Sequence, residues 1–313
     1  MIEANAAAPR PQEGMVGKQL RARTLWGDAW RRLRRHQVAM AGAAILIFFI
    51  LAAFLGPLVY KTSPETLDYT AILVPPLSPG HLLGTDELGR DLLARCMVGG
   101  RISLSVGFVA MLIAVSLGTL VGAVSGFIGG AADNALMRLT DLFLSLPVLP
   151  VLLLTVYLFR VPVTKALGPE TGIFVIVVVM IGTLAWMSTA RIVRATFLSL
   201  KQKEFVEAAV SIGVSRSAIM FRHILPNALS PIIVAATLEI GAAIITESTL
   251  SFLGVGFPPD TPTWGRLVTD GAQFLQAASW LAFVPAALIF LTVLSINFLG
   301  DGLRDALDPR QRR

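Results

Sequence analysis

Apolar residues in this chain are gathered into long blocks that polar segments separate. Six blocks have few or no charged side chains, at about residues 38–60, 103–130, 140–159, 172–190, 229–250 and 278–300. A helix needs roughly 20 mainly apolar residues to cross the hydrocarbon core of a bilayer. The pattern therefore predicts an all-α integral membrane protein with six transmembrane helices. A soluble helical bundle is the alternative, but several uninterrupted runs of spanning length disfavour it.

Residues 1–37 precede the first block and form a basic tail. Trp26, Trp30 and Leu33 are spaced i, i+4, i+7 among its arginines, which predicts an amphipathic helix in the membrane interface, with membrane lipid as its partner. A solvated basic tail is the alternative. The start of the tail is rich in Ala and Pro and is expected to be disordered, and the apolar run after it is too long for a cleaved signal peptide.

Composition supports a membrane protein and excludes several other classes. The chain is 55% hydrophobic and 15% charged, with a mean hydropathy of +0.72, which is far more apolar than a soluble domain. The net charge of +6 is explained by membrane orientation, so we expect no nucleic-acid partner. A single cysteine (Cys96) and three scattered histidines offer neither an internal disulfide nor a metal cluster. No phosphate-binding P-loop occurs, so the chain is not expected to bind ATP itself.

Basic residues also predict how the chain crosses the membrane. With the amino terminus in the cytoplasm, most of the 26 lysines and arginines lie on the cytoplasmic side, including those of residues 191–228. Six crossings then place both termini in the cytoplasm and residues 61–101 outside. The connection between the third and fourth spans is the weak point, because Arg160 and Lys165 outside outnumber Arg138 inside.

Two acidic residues lie within the fifth span and are candidates for the transport pathway. Counted from Pro226, Glu239 lies about 20 Å and Glu247 about 31 Å along the helix, at ~1.5 Å per residue. A charge at such depth faces a bundle interior, a partner or water. Glu239 can line a pathway and meet an ammonium group, or serve as a structural carboxyl. For Glu247 the structural role is favoured.

Acidic and basic residues also cluster in the outer segment, where Asp86, Glu87, Arg90 and Asp91 lie within six positions. The carboxylates can bind a cation, or Arg90 can neutralise one of them. Too few ligands have the fixed spacing of a metal site, so structural pairing is favoured.

Small residues recur every four positions in the second span, at Ala110, Ala114, Gly118, Gly122, Gly126 and Gly130. Such a stripe allows close helix packing, either within the chain, which we favour, or against another subunit. In the third span, Pro147 and Pro150 predict a kink or opening near the cytoplasmic end.

The charged segment 200–224 predicts two short helices outside the membrane. Phe205, Ala208, Ala209 and Ile212 recur at helical spacing, and Gly213 can end the first helix. Ser215 can cap a second helix, and Pro226 suits the first turn of the next span. A plain connecting loop is the alternative.

The same segment resembles a known family. Glu207-Ala208-Ala209, then three residues, then Gly213 and later Leu225-Pro226 resemble the EAA loop of ABC importer permeases, although His223 stands where that pattern usually has isoleucine. The form 223–227 and the run 81–91 are similar to the dipeptide/oligopeptide/nickel branch of that family.

The resemblance implies a fold, partners and site residues. It implies a permease domain at 38–313 in a bacterial plasma (inner) membrane, whose coupling loop at 200–224 docks on an ATPase subunit. The coupling residues so implied are Glu204, Glu207, Ala208, Ala209, Gly213, Arg216, Leu225 and Pro226. The implied partners are a second related permease, two ABC ATPase subunits that bind ATP and Mg, and an extracytoplasmic substrate-binding protein. That protein would dock on the outer face, with Asp86, Glu87, Arg90 and Asp91 as candidates.

The expected function is therefore to form half of the translocation pathway of an ATP-driven importer of di- or oligopeptides. Catalytic residues and cofactors are not expected on this chain. Nickel chelates or another small solute are alternative substrates. An ion-coupled carrier that uses Glu239 should show inverted repeats, and none is identifiable. An intramembrane enzyme needs a catalytic partner for Glu239, which the spans lack.

Overall fold

The computed structural model describes residues 25–307, and in this range the regular structure is helical. The helices in chain order are α1 (Leu25–Arg35), α2 (Gln37–Val59), α3 (Leu92–Ile128), α4 (Gly130–Ser145), α5 (Val148–Leu167), α6 (Pro169–Thr183), α7 (Trp186–Lys201), α8 (Glu204–Ser211), α9 (Arg216–Ala218), a π turn (Ile219–Ile224), α10 (Leu225–Phe252), α11 (Trp264–Ala272) and α12 (Trp280–Leu307). The beginning of the basic tail, where disorder is expected, lies outside the described residues.

Six helical stretches are long and apolar enough to cross a membrane, so the prediction of six transmembrane helices is confirmed. They are Gln37–Val59, Leu92–Ile128, Val148–Leu167, Pro169–Lys201, Arg216–Phe252 and Trp280–Leu307. The fourth stretch joins α6 to α7 through a short turn at Leu184 and Ala185.

The second spanning helix begins at Leu92, well before the predicted position 103, and shortens the outer segment accordingly. Two arginines made this part look polar in the sequence. Arg95 is buried and pairs with Asp86, and Arg101 donates to the backbone carbonyl groups of Ala53 and Phe54. Because both charges have partners, they do not end the helix.

The third spanning helix begins at Val148, later than the predicted 140. Residues 140–145 belong to the separate helix α4, and Leu146 has extended backbone angles (φ −76°, ψ 135°). Pro147 explains this break, because a residue before proline is disfavoured in the α-helical region. The proline therefore separates two helices where a kink within one was predicted.

The small-residue stripe of α3 packs within the chain. A Cβ atom added at Gly122 would lie 2.4 Å from the carbonyl oxygen of Ala190, and one at Gly126 would lie 2.8 Å from that of Arg194. Such contacts require glycine, so α3 and α7 touch backbone to backbone. Gly130 has φ +58° at the start of α4 and does not contribute to this packing.

Helix α3 lies at the centre of the bundle, where it packs against α2, α6, α7 and α10. Helix α12 packs against both α2 and α10, which closes the bundle on the other side. Helix α10 therefore packs between α3 and α12, and its remaining side is exposed at the surface of the bundle.

Candidate functional site: the coupling segment and the membrane carboxylates

Helix α8 ends in a hydrogen-bonded cap built around Gly213. The N–H of Val214 donates to the carbonyl oxygen of Ala209 (3.1 Å), and that of Gly213 donates to Val210 (3.0 Å). These are the two bonds of a Schellman motif, which needs a left-handed residue after the helix. Gly213 has φ +79°, and no atom lies within 4 Å of an added Cβ. Backbone conformation, not space, is thus the reason for glycine here.

The second half of the segment differs from the predicted separate helix. Ser215 does cap α9, because its Oγ accepts from the N–H of Ala218 (3.4 Å). However, α9 continues through the π turn into α10 without a break. Pro226 follows the π turn after one residue, Leu225, and its ring would clash with the carbonyl group four residues earlier in a regular α-helix. The wider turn accommodates the proline, so the second half of the coupling segment (α9 and the π turn) and the fifth spanning helix form one rod, while α8 stays a separate helix.

One face of α8 is anchored on the bundle. Val206 and Ala209 are buried in a cluster that includes Val193 and Phe197 of α7 and Ile224 of the π turn. Ala209 is therefore a packing residue. Leu225 is half-buried at the junction with α10.

The remaining coupling candidates lie on the surface. The exposed ones are Glu204, Glu207, Ala208, Gly213, Arg216 and Pro226. Large apolar side chains are exposed beside them, with Val210 60% and Ile212 81% exposed. Apolar side chains next to charges on a fixed helix are typical of a surface that a partner protein covers. The individual roles of these residues stay predictions.

A polar clamp that sequence reasoning missed holds α4 on α7. Arg194 donates from Nε to Oδ1 of Asp133 and from Nη2 to Oδ2, each at 2.6 Å, and Ser125 also binds this carboxylate. The Arg194 guanidinium, helped by the Ser125 hydroxyl, lowers the pKa of Asp133 to about 2 although burial opposes it. The two residues are far apart in the sequence, so only a predicted packing of α4 on α7 could have paired them.

In the outer segment, Asp86 is buried in an ion-pair network. Its Oδ2 accepts from Arg90 Nε (2.7 Å) and from Arg95, and its Oδ1 accepts from the backbone N–H of Arg90 (2.9 Å). Arg90 also lies 3.4 Å from Glu87. Arg95 reaches toward Asp270 of α11 (3.8 Å). The network thereby joins the outer segment to α11.

Asp91 is also buried and has a different set of partners. Its Oδ1 caps α3 by accepting from the N–H of Ala94, and its Oδ2 accepts from the Tyr60 hydroxyl and contacts His81 Nδ1, each at 2.9 Å. Among residues 25–307, no group of three or more His, Cys, Asp or Glu side chains is placed to hold a metal ion. Asp86 and Asp91 therefore bind within the chain, whereas the neighbouring Leu88 is exposed. The docking role of this segment stays a prediction.

The two carboxyl groups of α10 have different surroundings. Glu247 is only 1% exposed, contacts the hydroxyl groups of Ser103 (3.3 Å) and Ser251 (2.8 Å), and ties α10 to α3. Glu239 is half-buried and makes no hydrogen bond or ion pair to any residue in the described range. Its neighbours Leu238 and Ala242 are exposed. Glu247 therefore has a structural environment, and Glu239 borders an open face.

Comparison with known proteins identifies the family. A family profile described as the binding-protein-dependent transport system inner membrane component matches residues 118–313. The chain belongs to this family, the permease subunits of ABC importers. A second profile, the N-terminal TM domain of oligopeptide transport permease C, matches residues 24–76 of this permease.

Curated relatives match the permease over nearly its whole length. It is 43% identical to the oligopeptide transport system permease protein OppC of Haemophilus influenzae, over 94% of this chain and 91% of the relative. It is 41% identical to the dipeptide transport system permease protein DppC of Bacillus subtilis (91% and 86%). It is 38% identical to the glutathione transport system permease protein GsiD of Pectobacterium atrosepticum (92% of each).

A solved structure supports the fold. A chain of the MetNI methionine ABC transporter in inward-facing conformations superposes with a TM-score of 0.55 at 21% identity, over 69% of this chain and 96% of that one.

Family membership settles the class of protein. The permease is a multi-pass, non-catalytic membrane subunit without a cofactor of its own, and it works with ATPase and permease partners. The ion-coupled carrier and the intramembrane enzyme are therefore set aside.

Proposed function

We propose that this permease imports small peptides across a bacterial inner membrane. The relatives named above are called oligopeptide, dipeptide and glutathione permeases. Glutathione is itself a short peptide, so these names share one substrate class. This supports peptides over nickel chelates as the substrate.

Both termini and the coupling segment lie in the cytoplasm under this proposal. The excess of lysine and arginine on that side supports it. The outer segment and α11 then face the extracytoplasmic space, where a substrate-binding protein delivers the peptide. ATP and Mg bind on the partner ATPase subunits.

The continuity of α9, the π turn and α10 carries the mechanistic proposal. An ATPase that closes on its nucleotide displaces the exposed face of α8, with Glu207 at the contact. Because α8 packs on the π turn and on α7, the displacement reaches two spanning helices. Packed helices move as rigid bodies, so the outer and inner ends of the pathway open in turn.

Glu239 lines the proposed pathway. A carboxylate that faces acyl chains is costly, so the open face beside it must be covered by protein or water. The second permease provides this cover, and the pathway runs between the two subunits. There Glu239 can meet the ammonium group of a peptide.

A charge reversal at the ATPase contact tests the proposal. In proteoliposomes that hold the complete transporter with its binding protein, Glu207→Lys should lower ATP-driven peptide uptake roughly ten-fold or more, because a buried charge contact at an interface is lost. Glu65→Lys makes the same change at an exposed site of the outer segment and should leave uptake unchanged. Normal assembly with normal peptide-coupled ATPase activity in Glu207→Lys would contradict the assigned contact.

A further inference from the structure

Helix α1 is fixed at the cytoplasmic end of the bundle, not free in solution. Ala29 and Leu33 are buried against Leu299, Leu303 and Ala306 near the end of α12. A single residue, His36, separates α1 from α2, and its Nδ1 accepts from the N–H of Ala39 to cap α2. The first residues of α2 already expose apolar side chains, with Val38 47% exposed. The end of α1 therefore lies at the boundary between hydrocarbon and water.

The opposite face of α1 presents an aromatic ring and cations. Trp30 is 53% exposed, and the guanidinium carbon of Arg34 lies 5.0 Å from the centre of its ring. Arg31, Arg34 and Arg35 are exposed on this helix. Among residues 25–307, neither Arg34 nor Arg35 has a carboxylate partner, whereas the nearby Asp305 lies 3.7 Å from His36.

We propose that this face of α1, with Trp30, Arg31, Arg34 and Arg35, binds the headgroups of anionic phospholipids in the adjacent leaflet. The guanidinium group donates two parallel hydrogen bonds to a phosphate, and tryptophan is favoured at the level of the headgroups. The connection to α2 holds the arginines at this level. Bound lipid would brace α1 against the end of α12, and this goes beyond a helix that merely rests on the membrane.

Lipid titration of the purified full-length chain tests the proposal. The chain in neutral detergent is titrated with phosphatidylglycerol, phosphatidylcholine or glycerol phosphate, and bound molecules are counted by native mass spectrometry. Phosphatidylglycerol should bind most tightly. The double variant Arg34→Gln/Arg35→Gln should weaken its apparent Kd roughly 30-fold, because each arginine near an anionic surface contributes ~1 kcal/mol.

Two further variants distinguish a specific lipid-binding site on α1 from a non-specific attraction of anionic lipid to any exposed arginine. Arg138→Gln/Arg222→Gln removes the same charge from exposed positions on α4 and the π turn, and should bind phosphatidylglycerol like the unchanged chain. Arg34→Lys/Arg35→Lys keeps the charge but loses the paired guanidinium hydrogen bonds, so its affinity should lie between that of the unchanged chain and that of the glutamine variant. Equal loss in the Arg138/Arg222 variant, equal binding of phosphatidylcholine or glycerol phosphate, or full binding by the Arg34/Arg35 glutamine variant would each overturn the proposal.

Discussion

Glu239 and Glu247 lie about two turns apart on α10, yet only Glu247 is surrounded by hydrogen-bond donors. The hydroxyl groups of Ser103 and Ser251 satisfy its buried oxygens. Glu239 lacks any such partner within the described residues and lies beside exposed side chains. A partly buried carboxyl group without a partner is costly, so under the proposed function Glu239 is the carboxyl group left for a substrate or water to bind.

Replacing Glu239 should change which peptides are taken up. Glu239→Gln should lower the uptake of a peptide with a free amino terminus roughly ten-fold, because a hydrogen bond between charged groups is lost. Uptake of the same peptide with an acetylated amino terminus should change little. Both are measured in the reconstituted transporter.

Glu247→Gln is the matched control, since it removes a carboxylate from the same helix. This variant should lower the Tm of the chain without changing the ratio between free and acetylated peptide. An equal effect of Glu239→Gln on both peptides would contradict the assigned contact.

At the scale of single residues, the sequence predicted which side chains form ion pairs with chain neighbours, but not which distant side chains they contact. Pairing of Arg90 with an acidic neighbour was a reasonable expectation because the residues are adjacent in the chain. That Arg95 shares Asp86, and that Tyr60 and His81 share Asp91, depends on the folding of residues 60–91 over the end of α3. Spacing along the chain carries no information about such contacts.

The close packing of α3 against α7 depends on glycine at the contact positions of α3. At Gly122 an added methyl group meets a backbone oxygen at 2.4 Å, which cannot move without shifting α7. At Gly241 of α10 the nearest atom is 3.5 Å away, an ordinary contact. The two positions therefore differ in space although both are buried helix interiors.

This difference predicts opposite effects of the same substitution. Gly122→Ala should destabilise the chain by about 1–3 kcal/mol through overpacking. Gly241→Ala should leave the Tm unchanged or raise it, because alanine is favoured over glycine in helices by about 1 kcal/mol. Thermal unfolding in detergent measures both. A lower Tm for Gly241→Ala than for Gly122→Ala would contradict this packing.

The clamp between α4 and α7 should show a defined pH dependence. The pKa of Asp133 is lower in the folded chain (about 2) than in the unfolded chain (about 3.9), so its contribution to stability is complete above about pH 4 and is lost as the pH falls toward 2. Asp133→Asn should lower the Tm at neutral pH. The difference in Tm between this variant and the unchanged chain should disappear as the pH falls from about 4 to 2.

Asp141→Asn provides the control for this series. It breaks the ion pair between Asp141 and Arg191. Both side chains are more than half exposed, and such surface pairs contribute little to the free energy of unfolding. Its Tm should stay close to that of the unchanged chain at every pH. A difference for Asp133→Asn that persists to the lowest pH would contradict the pairing.

The elements themselves were largely predictable from the apolar blocks, but two junctions were not. At Leu146, Pro147 predicted a kink or opening, but the complete break into two helices was hidden because apolar residues continue across it. The continuity of α9 with α10 was hidden because Gly213, Ser215 and Pro226 suggested separate helices, and a π turn has no sequence signal as strong as proline or glycine.

For the molecule as a whole, the proposed orientation is open to a labelling test. Ser211 of α8 and Ser63 of the outer segment are both exposed, and the single Cys96 is buried, so the unchanged chain should give little background. A membrane-impermeant maleimide should label Ser63→Cys in intact cells. Ser211→Cys should react only after the membrane is opened. The reverse pattern would contradict a cytoplasmic coupling segment.

The rod formed by α9, the π turn and α10 has a consequence for insertions and deletions. Each residue added to a helix rotates everything beyond it by about 100° and advances it by ~1.5 Å. Deleting one residue within Ile219–Ile224 would therefore leave α9 and α10 folded but rotate α9 by about 100° around the helix axis relative to α10. The number of residues between Arg216 and Glu239 therefore sets the direction in which Glu239 faces relative to α9.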